Sequence, residues 1–205
     1  MRSSYIENNY NEVIKSWILG LKPAGQYVEL GVLDGYSTLA IAQAIEQLNK
    51  MFGGWGCTFD AYDLFEDYQY KHGSKEEVEK LLADNNVSQY ANIIKGDAYK
   101  VYEKYPDRSE ANGIRGIEFL HIDISNTGKV IDEIIELWHP KIAWRGIVMI
   151  EGGSEERDNV EWMKKYNAPS IKQSIAKNHI INNFYQQGCY YKYPSMTVLF
   201  REWWH

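Results

Sequence analysis

The chain has 205 residues, and its 22 basic and 28 acidic side chains give it a formal net charge of −6. Hydrophobic residues make up 44% and charged residues 24%, a balance that supplies a core for one folded domain and excludes a disordered chain. The acidic charge argues against a nucleic-acid partner. No apolar run approaches the roughly 20 residues of a membrane span, and the start has no signal-peptide core. We therefore expect a cytoplasmic protein without a membrane partner.

The first half of the chain alternates helical and strand-like segments. Apolar residues at steps of three and four predict a helix over residues 9–21, within a helical extension at residues 1–24. A strand at 26–30, a glycine-bearing turn at 31–37 and a helix at 38–50 follow. Further strands are predicted at 57–63 and 91–95, and between them a helix at 74–85 begins with a capping box formed by Ser74 and Glu77.

The second half continues this order and then changes. A helix at 128–138 separates strands at 117–123 and 146–151, and the repeated alternation predicts a parallel sheet. Residues 152–169 are polar and form either a solvated loop or a lid. After a helix at 170–187, strands at 189–193 and 196–200 are too close in sequence for a parallel crossover, so they form an antiparallel hairpin. The prediction is one domain over residues 1–205 with a mainly parallel, seven-stranded sheet.

Acidic residues follow the predicted strands at the edge where open α/β sheets bind ligands. The second to fifth strands end in Asp63, Asp97, Asp123 and Glu151. The first strand leads into Glu29-x-Gly31-x-x-x-Gly35-x-Ser37. Glycines there allow a close approach of the backbone to a ligand, and the amides at the following helix start can hold a negative group. The pattern predicts one acid-lined crevice.

Two nucleotide-binding motifs fit the chain poorly. The dinucleotide fingerprint needs a second glycine where Leu33 stands, and the step from Gly31 to Asp63 is long for it. The chain also contains no phosphate loop of the GxxxxGK[ST] type. An NAD-dependent oxidoreductase is therefore a disfavoured alternative.

Five segments in order resemble the motifs of class I S-adenosylmethionine-dependent methyltransferases. They are YVELGVLDGYSTL (27–39), AYDLF (61–65), IKGDA (94–98), FLHID (119–123) and GIVMIE (146–151). The similarity spans about residues 25–200 and is greatest to the small O-methyltransferase-like branch that includes sugar and macrolide modifiers. It implies a Rossmann-like, doubly wound sheet and methyl transfer from S-adenosylmethionine to a hydroxyl group of a small molecule or sugar.

The resemblance also implies a cofactor site. The turn would accept the methionine part of the cofactor, with Glu29 near its ammonium group, and Asp63 would accept the two ribose hydroxyls. Asp97 and the Ala98 amide would meet the adenine. The alternative for Asp63 and Asp97 is a role as turn formers at the strand ends. The implied cofactor-binding residues are Glu29, Gly31, Gly35, Ser37, Asp63, Asp97 and Ala98.

Catalysis is assigned less directly. Asp123 and Glu151 are candidates for orienting the acceptor, and His121 is a third catalytic candidate, with a hydrogen-bonded core histidine as the alternative. Metal-assisted members carry more ligands, but Asp123, Asn126 and Glu151 would form an all-oxygen site for Mg²⁺. The thinner ligand set leaves a catalytically inactive S-adenosylmethionine-binding protein as an alternative. The apolar pair Trp203–Trp204 predicts docking on the body or a contact within a homo-oligomer.

Overall fold

The computed structural model describes residues 9–21, 25–53, 57–69, 72–108, 116–125, 127–155, 169–192 and 195–202. The chain divides into two compact units, residues 1–100 and residues 101–205. No helix within the described ranges is long and apolar enough to cross a bilayer. The predictions made for the pair Trp203–Trp204 and for most of the lid, residues 156–168, lie outside the described residues.

The first unit contains a parallel sheet of three strands. Strand β1 (Gln26–Leu30) pairs with β2 (Thr58–Asp63), which pairs with β3 (Asn92–Lys95), and both pairs are parallel. The helices are α1 (Tyr10–Leu19), α2 (Tyr36–Phe52), α3 (Lys75–Asp84) and α4, which begins at Ala98 and ends at Val101. Four of the five β1 residues are buried, as expected for a strand covered on both faces.

Local signals explain the helix boundaries in this unit. Helix α2 begins two residues earlier than predicted because Gly35, with φ +79°, turns the chain directly into it. It ends at Gly53, a left-handed cap whose amide donates to the Asn49 carbonyl at 3.0 Å. The Ser74 hydroxyl accepts the Glu77 amide at 3.4 Å and starts α3 where the capping pattern predicted.

The second unit contains a mixed sheet in the order β4-β5-β7-β6. Its strands are β4 (Ile117–Ile122), β5 (Ile142–Glu151), β6 (Tyr185–Lys192) and β7 (Ser195–Arg201), and its helices are α5 (Gly128–Trp138), α6 (Ile171–Lys177) and α7 (His179–Phe184). β4 and β5 are parallel, and β7 is antiparallel to both β5 and β6. Among the described strands of this sheet β7 alone runs in the opposite direction, and the mainly parallel arrangement with its C-terminal hairpin confirms the predicted Rossmann-like fold class.

Strand β5 is four residues longer than predicted. Arg145 has φ +64°, and the pairing with β4 shifts register there, since Ile117 faces Ile142 while Phe119 faces Ile147. This bulge interrupts the ladder just before Gly146, where a Cβ would come within 2.8 Å of the Ile117 carbonyl oxygen. The sequence pattern therefore predicted a strand that begins at Gly146, after the bulge, whereas β5 begins at Ile142.

The single helix predicted for residues 170–187 is wrong. Asn178, with ψ 117°, ends α6, and its side-chain oxygen accepts the Ile181 amide at 3.0 Å to cap α7. Residues 185–187 are the start of β6 and pair with β7, with Tyr185 opposite Arg201. Pairing with the next strand of the hairpin thus overrides the local helical pattern.

Candidate active site

The turn after β1 is held in place by backbone hydrogen bonds. The Gly31 amide donates to the Tyr62 carbonyl at 2.8 Å, and the Gly35 amide donates to the Val32 carbonyl at 2.9 Å. Gly31, Leu33 and Gly35 have φ angles of +92°, +48° and +79°. Because a left-handed backbone is unfavourable for residues with a Cβ, the conformation suits the two glycines and places one exposed leucine at the tip.

The Asp63 carboxylate anchors this turn. Its Oδ2 accepts the Val32 amide at 2.7 Å and the Leu33 amide at 3.0 Å, and its Oδ1 accepts the Phe65 amide at 2.8 Å. An ionised carboxylate offers about four lone-pair positions, so these three bonds leave capacity for about one more. Asp63 therefore has the turn-forming role that its position at a strand end also predicted, beside the predicted contact with ribose.

Gly35 is also required by packing. A Cβ built on it would lie 2.9 Å from Val78 Cγ1 on α3, closer than real contacts allow. The glycine therefore permits α2 and α3 to approach each other, a reason that does not involve a ligand. The sequence pattern alone assigned it to ligand approach.

The end of β3 lies beside the end of β2. The Gly96 amide donates to the Asp63 carbonyl at 2.9 Å, and Asp97 follows directly. Asp97 Oδ1 accepts the Tyr99 amide at 3.0 Å, as an aspartate does at the start of a helical turn. The structure thus brings Gly31, Asp63 and Asp97 to one edge of the three-stranded sheet, while Ala98 is buried behind them.

A buried pair lies beneath the turn. Glu29 in β1 is 0% exposed, and its Oε2 accepts a hydrogen bond from the Thr38 hydroxyl of α2 at 2.5 Å. Ser37, next to Thr38, is buried as well. Thr38 was not among the predicted site residues, although it directly follows the Gly31–Ser37 motif and its place in the first turn of α2 could have indicated it.

Three partly exposed apolar side chains follow the strands of the first unit in sequence. Leu33 after β1, Tyr68 after β2 and Tyr99 after β3 are 39%, 40% and 39% exposed. Single exposed apolar side chains are normal on a protein surface, so their position after the strands, and not their exposure, relates these three to the site. The exposure of these side chains cannot be predicted from their spacing in the sequence.

In the second unit the predicted acceptor residues come from neighbouring strands. β4 and β5 are parallel with Ile122 opposite Ile150, so Asp123 and Glu151 follow at the same end, and both are partly exposed. His121 differs, since it is 0% exposed within β4 and faces Met149. The two carboxylates thus lie at a strand end, as the residue pattern implied, whereas the histidine is inside the strand.

The predicted magnesium site finds no support. No cluster of three or more His, Cys, Asp or Glu side chains suited to a metal ion occurs among the described residues. Asn126, the third predicted ligand, lies outside them.

Comparison with known proteins adds a family and structural relatives. A family model described as a methyltransferase domain matches residues 28–151. A methyltransferase from Geobacter sulfurreducens has a TM-score of 0.61 at 12% identity, over 97% of this chain and 84% of that one. An S-adenosylmethionine-dependent O-methyltransferase from Thermotoga maritima has a TM-score of 0.59 at 13% identity, over 100% of this chain and 73% of that one. At such identities the likeness to these two structures shows the fold alone. No curated protein matches the sequence significantly.

Proposed function

The chain belongs to the methyltransferase-domain family, which uses S-adenosylmethionine, and from that premise we propose that it methylates a hydroxyl group of a small molecule or a sugar. The observation that carries the cofactor assignment is the meeting of the Gly31 turn, Asp63 and Asp97 at one edge of a parallel sheet. That edge is where open α/β sheets bind their ligands.

The donors and acceptors at this edge suit the parts of the cofactor. Glu29 and the Gly31 turn would hold the methionine part, and the remaining capacity of the Asp63 carboxylate would accept a ribose hydroxyl. Asp97 would accept the adenine amino group, and the exposed faces of Leu33, Tyr68 and Tyr99 supply apolar surface for a flat ring. When bound, S-adenosylmethionine supplies an electrophilic methyl group on a sulfonium cation, whose charge suits an acidic surrounding.

Methyl transfer to a hydroxyl needs alignment of the acceptor and a destination for its proton. We propose that Asp123 and Glu151 orient the acceptor and that one of these carboxylates receives the proton. Carboxylates at the ends of adjacent strands suit this role because both residues are partly exposed and a carboxylate accepts hydrogen bonds. His121 is fully buried, which favours a positioning role within β4 over direct contact with an acceptor.

Calorimetric titration of S-adenosylhomocysteine, S-adenosylmethionine and NAD in parallel tests the cofactor. Saturable binding of the two adenosyl ligands and none of NAD is expected, and binding of NAD alone would refute the proposal. A panel of hydroxylated sugars and small molecules, assayed for methyl transfer, then tests the reaction. Tight S-adenosylhomocysteine binding without turnover on the panel would favour an inactive binding protein, and equal rates after chelation and after Mg²⁺ addition would remove the metal prediction.

A further inference from the structure

The turn after β1 already holds an anionic group that belongs to the protein. The amides of Val32 and Leu33, two successive residues, both donate to Asp63 Oδ2, at 2.7 Å and 3.0 Å. Leu33 has φ +48°, and successive amides in such a turn converge to form a concavity that binds anions. The Asp63 oxygen therefore lies where a phosphate oxygen would lie if the turn bound a phosphate group.

Other amides of the turn also donate within the protein. Gly31 donates to the Tyr62 carbonyl at 2.8 Å, and Gly35 donates to the Val32 carbonyl at 2.9 Å. A bound phosphate group needs several donors at once, because its charge is costly to remove from water without them. These amides, like the two that donate to the carboxylate, already have acceptors, and the carboxylate also repels a second anion.

We propose that Asp63 is a specificity-determining residue whose carboxylate fills the anion position of this turn and thereby excludes ligands that would place a phosphate group there. This inference rests on the proposed function, in which the edge of the sheet binds an adenosyl cofactor that carries no phosphate. A dinucleotide carries a pyrophosphate, which would have to displace the carboxylate from two backbone amides. The exclusion is separate from the ribose contact proposed for Asp63.

The anion position should persist when the carboxylate is removed. The amide bonds of Gly31 and Gly35 hold the turn independently of Asp63. Gly73 packs against the tip of the turn, since a Cβ built on it would lie 1.8 Å from the Leu33 carbonyl oxygen. Leu33 is 39% exposed, so an ion from solvent can reach the tip. A variant without the carboxylate should therefore acquire a phosphate site that the unmodified chain lacks.

The experiment titrates inorganic phosphate into the full chain and into Asp63→Ala at constant ionic strength and follows the backbone amide resonances by NMR. In Asp63→Ala the resonances of Val32 and Leu33 should shift and saturate, whereas in the unmodified chain they should not move. At about ten times its dissociation constant, phosphate should raise the melting temperature of Asp63→Ala by about 2–4 °C more than that of the unmodified chain. Formate, which supplies the lost carboxylate as a free ion, should act in the same way.

Two control variants separate the filling of the anion position from the loss of charge. Asp63→Asn is neutral but keeps an oxygen that accepts the turn amides, so it should respond to phosphate as the unmodified chain does. Asp97→Ala removes a carboxylate from the same edge of the sheet, where it accepts the Tyr99 amide, and it should not respond either. Asp63→Ser, whose shorter side chain also vacates the position, replaces Asp63→Ala if the alanine variant does not fold.

The inference would be overturned if phosphate moved the Val32 and Leu33 resonances in neither Asp63→Ala nor Asp63→Ser. An equal response of the unmodified chain or of Asp97→Ala would also overturn it, because the carboxylate would then not be what excludes phosphate from the turn. Failure of the unmodified chain to bind S-adenosylhomocysteine would instead overturn the proposed function, since the phosphate titration needs no cofactor.

Discussion

The Asp63 carboxylate accepts the Val32 amide at 2.7 Å and thereby ties the end of β2 to the turn after β1. The same oxygen accepts the Leu33 amide, and the other oxygen accepts the Phe65 amide. A strand-end carboxylate predicted as a ligand contact is thus also the group that fixes the turn. Stability and binding should therefore change together when Asp63 is altered.

Asp63→Ala should lower both the free energy of unfolding and the affinity for S-adenosylhomocysteine. Three backbone amides lose their acceptor, and we expect a loss of about 1–3 kcal/mol in stability, because water reaches part of this turn. Binding should weaken by about 1–3 kcal/mol, since a ligand donor is left unpaired. Urea unfolding and calorimetry measure the two effects on the same protein.

Asp60→Asn is a control on the same strand, where the carboxylate accepts the Asn92 side-chain amide at 2.8 Å. Asp60→Asn should leave the affinity for S-adenosylhomocysteine unchanged, because Asp60 lies outside the turn after β1. Asp63→Asn keeps one acceptor oxygen and should fall between wild type and Asp63→Ala. A stability of Asp63→Ala equal to that of the wild type would show that the three hydrogen bonds contribute nothing.

Asp97→Ala should separate binding from stability. The side chain caps a short helical turn through the Tyr99 amide, so we expect only about 1 kcal/mol of lost stability. Loss of the contact with adenine should weaken S-adenosylhomocysteine binding by about 1–3 kcal/mol. Asp84→Ala, which removes an exposed ion pair with Lys80, should change neither quantity by more than about 1 kcal/mol.

Unchanged affinity in both Asp63→Ala and Asp97→Ala would remove the cofactor assignment.

The fold could be predicted where a local signal decides it. β1 and α5 have the predicted bounds, because a short apolar run and a strong helical stripe need no distant partner. Arg145 and residues 185–187 were misread, because a bulge and a cross-strand pairing depend on the partner strands β4 and β7 and not on the local pattern.

The candidate site was predictable to the same extent. The order of elements places Asp63 and Asp97 at neighbouring strand ends, since carboxyl ends of parallel strands meet at one edge. The position of Thr38 could have indicated a site residue, but its bond to Glu29 depends on how α2 packs on β1. The close approach of Gly35 to Val78 likewise depends on how α2 packs on α3. Motif spacing therefore finds the edge of the sheet but not the supporting contacts.

Asp132→Ala should destabilise the second unit. Asp132 on α5 accepts the Ser174 hydroxyl at 2.9 Å and the Asn178 side-chain amide at 2.7 Å, so one carboxylate holds α6 and the cap of α7. We expect a loss of about 1–3 kcal/mol in unfolding free energy by urea denaturation. Glu133→Ala, which loses an exposed ion pair with Lys129 on the same helix, should cost less than about 1 kcal/mol. Equal effects of the two variants would contradict the anchoring role.

His139 should make the protein less stable as the pH falls below about 6.5. Burial, together with the charges of Arg201 and Arg108, lowers its pKa to about 3, and its Nε2 lies 3.0 Å from Arg201 Nη2, where only a neutral ring accepts the bond. The unfolded chain then binds more protons than the folded one between about pH 6.5 and about pH 3, so stability present above that range is lost within it.

Between about pH 6.5 and about pH 5 the wild type should lose about 1 kcal/mol more than His139→Gln, in which this position does not titrate. Carboxylates titrate in both proteins and cancel in the difference, which urea unfolding at the two pH values measures. An equal loss in both would show that His139 is protonated in the folded protein.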